Sequence, residues 1–140
     1  MNVRCRDQSL AAALDSDGPG LVFVADPDVS DSWDDIREEL VEAFSMTQAA
    51  AIRGEPIVYV VRGDDLLGRD GIGAAIVATA LLSGARTASL ELRDSTVNTL
   101  AIDRESSLVS ISTWVRHLLA GGPRGELVHL GGSHLGKALP

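Results

Sequence analysis

The sequence predicts an α/β protein in which a mostly parallel sheet is covered by helices on both faces. Three observations carry that prediction. Short apolar runs alternate with long helical stretches in the order β-α-β-α-β-α-β. The runs are continuously apolar rather than alternating, as strands covered on both sides are. The 140 residues are 45% apolar but only 4% aromatic, so the core is built from Ala, Val, Leu and Ile, which suits close packing of helices on a sheet. One domain is expected over residues 1–140.

The elements follow in order. Val3-Arg4-Cys5 has the pattern of a short strand, and Leu10 to Leu14 of a helical turn. Leu21-Val22-Phe23-Val24 is the first clear strand, closed by the turn-like Asp26-Pro27-Asp28. Ser32 with Asp35 reads as a capping box opening a helix from Trp33 to Ile52, stopped by Gly54 and Pro56. Trp33, Ile36, Leu40 and Phe44 recur at three- and four-residue spacing and predict its buried stripe. Ile57 to Val61 is the second strand, Gly71 to Leu92 the second long helix and Thr96 to Ile102 the third strand. Ser107 to Leu119 follows as a helix with Trp114, Val115 and Leu118 inward. Glu126 to Leu130 is the last strand, ended by Gly131-Gly132. Right-handed crossovers are expected throughout.

Composition narrows the function classes. A net charge of −8 argues against nucleic acid or an anionic membrane as partner, since phosphate binding needs clustered Lys and Arg. Cys5 is the single cysteine, so an intramolecular disulfide is excluded and a cytoplasmic location is expected. No basic stretch followed by an apolar run marks a signal peptide. The longest uncharged segment, Gly71 to Ala85, is short for a membrane span and rich in Gly, Ala and Ser.

That segment is nevertheless the most informative part of the chain. The run from Gly71 to Ala85 carries no charge on any face, whereas a helix lying on a sheet in a monomer shows a polar outer side. A chain of this length has little further protein to cover such a helix, so a subunit interface is expected. The bland alternative is cover by the N-terminal segment.

Several pieces share an order with a known family. They are the Trp33…Phe44…Gln48-Ala49-Ala50 helix, the Gly71–Leu92 helix ending Ala88-Ser89-Leu90-Glu91-Leu92, the strand Thr96-Val97-Asn98-Thr99, and the close Gly125-Glu126-Leu127-Val128-His129-Leu130-Gly131-Gly132. From Gly20 to Gly136 the sequence resembles the second half of a short-chain dehydrogenase/reductase. The resemblance implies a three-layer Rossmann-like fold lacking the first βαβ cofactor-binding unit. It also implies subunit assembly through the two helices 33–52 and 71–92, which in the family form a four-helix bundle across a two-fold axis. The interface residues it points to are Trp33, Leu40, Phe44, Ile72, Ile76, Ala80, Leu81 and Ala85.

The departures from the family are equally informative. Its cofactor phosphates sit on a Gly-rich turn after the first strand, and no such turn follows any early strand here. No cofactor is expected. The family's catalytic groups are a Ser, a Tyr and a Lys four residues after the Tyr, the phenol transferring the proton. Counted back from Glu91, the Tyr position falls on Ala74 and the Lys position on Ala78, while the Ser position falls near Arg62. The family's Asn lands on Glu39 or Leu40. The turn expected after the first clear strand is replaced by Ala25-Asp26-Pro27-Asp28 and the one after the third by Ile102-Asp103. Tyr59, the single tyrosine, is read as a packing residue.

His117, His129 and His134 do not repeat a zinc spacing. Asp64, Asp65, Arg69 and Asp70 read as a solvated charged loop, with a functional rim as the alternative, and Lys137 as part of a frayed tail. The leading expectation is a non-catalytic subunit that pairs with a second copy or with a full-length reductase. The alternatives are an oxidoreductase component completing an active site in trans or binding a small acyl-type ligand, and a structural cap in a larger assembly. The strand Leu21–Val24 needs a neighbour, to be supplied by Val3–Cys5 or by a second subunit.

Overall fold

Each apolar run becomes a strand in the computed structural model, which describes residues 1–132. The order is β1 (Asn2–Arg4), α1 (Gln8–Leu14), β2 (Leu21–Val24), α2 (Trp33–Ile52), β3 (Ile57–Arg62), α3 (Gly63–Leu66), α4 (Ile72–Glu91), β4 (Val97–Ile102), α5 (Leu108–Leu119) and β5 (Leu127–Leu130). His134, Gly136 and Lys137 lie outside the described residues. The five strands form one sheet in sequential order, every neighbouring pair parallel. This is the three-layer, Rossmann-like α/β architecture.

The period of two along each strand divides the core into two layers. Leu21, Phe23, Ile57, Tyr59 and Val97 face α2 and α4. Val22, Val24, Val58, Val60 and Leu100 face α1 and α5. Both faces of the central strands are dry, which is why the runs are apolar without alternation.

The topology corrects one expectation. Strands that step in one direction across a sheet, joined by right-handed crossovers, carry all their helices on one face. Here α1 and α5 cover one face and α2 and α4 the other. Two of the four crossovers therefore have the rare left hand. With strands in sequential order, this is the arrangement that lets both apolar faces of the sheet be buried.

The N-terminal segment forms the neighbour of β2, with Asn2, Val3 and Arg4 in register with Leu21, Val22 and Phe23. It does not cover α4. Helix α1 follows β1 to the opposite face and packs against α5.

Two helical details also differ from the sequence prediction. Ser32 stands at the N-cap of α2 without a side-chain capping bond. Instead the Ser30 hydroxyl donates to Asp35 and accepts from the Ser32 N–H at 3.1 Å. The residues of α2 that face the sheet are Ile36, Glu39, Ala43 and Ala50, whereas Trp33 and Phe44 are exposed by 66% and 67%. The core-facing arc is set by small residues and a buried carboxylate, so the stripe of large side chains marks a neighbouring arc. On α5, Ile111, Val115 and Leu118 are buried, and Trp114 lies partly outside, edge-on to His117.

Candidate functional site

Two regions could carry function: the crevice at the strand tips and the outer face of α2 and α4. The crevice follows from the topology. The chain leaves β1 for one face and β2 for the other, and the gap between diverging loops is where ligands usually lie in open α/β sheets. It encloses about 630 Å³ and is lined by Cys5, Arg6, Asp26, Pro27, Asp28 and Arg62, among others.

Its polar groups are largely occupied with one another. The Asp7 carboxylate caps α1, accepting from the Leu10 N–H at 2.9 Å, so the helix end that follows β1 already holds an anion. Arg6 reaches Asp26 at 3.2 Å. Arg62 donates to both carboxylate oxygens of Asp65, at 2.9 and 3.0 Å, and to the Pro27 carbonyl at 3.2 Å. The turn after β1 reads Cys5-Arg6-Asp7-Gln8 and contains no glycine. A dinucleotide pyrophosphate would therefore meet a carboxylate rather than bare backbone N–H groups. These residues do not fit a dinucleotide cofactor. Burial pushes the Cys5 thiol up from its ordinary pKa, which leaves a protonated, weakly nucleophilic sulfur at neutral pH.

The positions to which the resemblance assigns catalysis hold fold-building groups. Ala74 and Ala78 are buried under α4 against the sheet. Glu39, 3% exposed, is one of the two residues, with Leu40, on which the resemblance places the family's Asn. It accepts two bonds from the Arg4 guanidinium and one from the Asp26 N–H at 2.8 Å. Arg4 also donates to the Val24 carbonyl at 3.0 Å and lies 4.6 Å above the Phe23 ring. This network bolts the edge strand β1 to α2 and to the loop after β2.

Asp64, Asp65, Arg69 and Asp70 are not a bare loop. Gly63 to Leu66 form the short helix α3, in which Asp65 is buried against Arg62. Asp70 lies 3.5 Å from Arg62 and 3.4 Å from Arg104. His129 bonds Asp103 at 3.1 Å, and His117 packs on Trp114. Among the described residues no group of three or more metal-ligating side chains converges.

The helix face is different in kind. α4 presents Gly73, Ala74, Val77, Ala78, Leu81 and Ala85 to the sheet. Leu81 and Ala85, two residues expected at an interface, thus belong to the core; they support the outer surface from behind. Ile72 and Ile76 stand outward, Ile72 by 67%, and Ala80 is half-buried beside them. Helix α4 is long and apolar enough, by length and composition alone, to cross a membrane, but its inner face is committed to the sheet. Between α2 and α4 runs a groove of about 400 Å³ walled by Leu40, Phe44, Thr47, Ala80, Gly84 and Thr87. At its floor the Tyr59 hydroxyl meets the Thr47 hydroxyl at 2.6 Å.

The two glycines within α4 separate packing inside the chain from packing outside it. A Cβ on Gly73 would sit 2.3 Å from the Ser30 carbonyl oxygen, so the loop before α2 requires glycine there. A Cβ on Gly84 would meet nothing within 4 Å. Glycine in a helix interior costs about 1 kcal/mol relative to alanine, and nothing among the described residues compensates for it at Gly84. Sequence reasoning passed over Gly84, and over the exposed Val41, Ile52 and Leu90 that flank the face. The signal for Gly84 was present as a glycine in an otherwise strong helix.

No protein-family model and no curated protein matches this chain. Fold and site define an α/β protein with a parallel, Rossmann-like sheet, an internally neutralised crevice and an apolar helical face.

Proposed function

We propose that this chain is a non-catalytic subunit of the short-chain-dehydrogenase type that associates through the outer faces of α2 and α4. The observation that carries the reading is the exposure of Trp33, Phe44, Ile72 and Ile76 on one side of the molecule, beside a groove of small residues. Their exposure is not relieved by the N-terminal segment, which lies on the opposite face.

The extent of the face supports the reading. Two helices of 20 residues, each about 30 Å long and 10 Å wide, offer a footprint of roughly 600 Å². A standard interface takes about 800 Å² of accessible surface from each partner, of which this footprint is the larger part. A second copy is the partner favoured here, because both helices are intact and present the same patch twice, as a two-fold contact requires. A full-length reductase is the alternative partner.

Sedimentation equilibrium of the full chain from about 1 to 300 µM tests the proposal. A concentration-dependent dimer is expected; a monomer over the whole range overturns self-association. The crevice gives a second reading, a ligand site for a small molecule. Calorimetry with NAD(H) and NADP(H) is expected to give no heat, and saturable binding of either would revive the reading of an active site completed in trans.

A further inference from the structure

Resting on α2 and α4 as the self-association face, we infer that the ring of Phe44 from one copy seats in the partner's α2–α4 groove, over Gly84. Three features of the molecule converge on that contact.

The first is self-complementarity. Phe44 projects from the rim of the same groove whose far wall is Ala80 and Gly84, so knob and hole lie on one patch. A two-fold axis through such a patch brings each knob to the other copy's hole.

The second is Gly84 itself. It weakens α4 without relieving any contact among the described residues, in contrast to Gly73 on the same helix. A side chain from outside, approaching the helix backbone closely, supplies the missing reason.

The third is register. α2 and α4 each return from a parallel strand to the next, so they run parallel to one another, and a two-fold axis perpendicular to them lays the partner's α2 antiparallel across α4. Counting 1.5 Å per residue from Phe44 over Gly84, Ile52 at the end of one α2 comes opposite Ile76 of the partner's α4. Both side chains are exposed in the single chain, Ile52 by 81% and Ile76 by 38%. One placement thus covers the exposed apolar end of α2 together with the centre of the face.

The test is the dimer dissociation constant of the full chain and of Gly84→Ala, Gly84→Leu and Phe44→Ala, measured by sedimentation. Urea unfolding below the dissociation concentration serves as the folding control. Gly84→Ala is expected to unfold at the same or higher urea yet dimerise at least tenfold more weakly, because the added methyl occupies the seat. Gly84→Leu is expected to weaken the dimer about a hundredfold and Phe44→Ala at least tenfold, with folding unchanged. A wild-type dimer whose constant is unmoved by all three substitutions overturns the seating of Phe44 and leaves the association face standing. A wild-type monomer up to 300 µM overturns both.

Discussion

The strand-tip crevice and the α2–α4 face are built from opposite materials, and the contrast says where function resides. In the crevice, charged groups are consumed internally: Asp7 on a helix end, Arg6 on Asp26 and Arg62 on Asp65, with Glu39 on Arg4 behind the Asp26 loop. On the helix face, large apolar side chains stand uncovered by any of the described residues, beside a glycine whose conformational cost none of those residues offsets. Polar groups that satisfy one another hold a fold together but have little left to bind with. Apolar groups left uncovered gain only by contact with another molecule.

Substitutions can break that contrast from either side. The largest expected effect is in the polar network beside the crevice. Glu39→Ala leaves Arg4 and the Asp26 N–H without their shared acceptor and is expected to destabilise the fold by about 3 kcal/mol or more in urea unfolding. If Glu39 were instead a catalytic group, its removal would cost little stability. Next, Gly73→Ala forces a methyl against the Ser30 carbonyl and is expected to cost about 1–3 kcal/mol. Gly84→Ala, eleven residues along the same helix, should cost the isolated fold nothing. Asp7→Ala removes the N-cap of α1 and is expected to cost about 1 kcal/mol.

The smallest effects are titrations. Burial raises the pKa of the Tyr59 phenol above its ordinary value, the bond with Thr47 opposing it only in part. The folded state therefore holds that proton more tightly than the unfolded chain. The corresponding stability is complete below the ordinary phenol range and lost as pH rises through the folded value. Because Tyr59 is the single tyrosine, ultraviolet titration reads it directly, with ionisation expected above that of the unfolded chain. Cys5 behaves in parallel: alkylation at neutral pH is expected to be slower in the folded protein than in urea.

Much of this was legible in the sequence, for definite reasons. The span of α2 matches its prediction, and α4, α5 and the strands fall within a residue of theirs, because long apolar runs and their Gly and Pro stops record burial directly. The pairing of the N-terminal strand with β2 was also among the expected solutions. What the sequence hid was orientation. Trp33 and Phe44 share a helical stripe with Ile36, yet the sheet meets the arc of Glu39, Ala43 and Ala50. Size draws the eye to large side chains, while close helix-on-sheet packing selects small ones. Crossover hand was hidden too, since it depends on which apolar face each helix covers. The role of Glu39 was invisible because its partner Arg4 lies 35 residues away.

Hydroxyl-radical footprinting of the full chain across a dilution series tests most directly whether the α2–α4 face is covered by polypeptide in solution. Phe44 and Ile72 should be protected at high concentration and become reactive on dilution, while Val109 on the opposite face, 76% exposed, reacts throughout. Phe44 and Ile72 as reactive as Val109 at every concentration would contradict the claim.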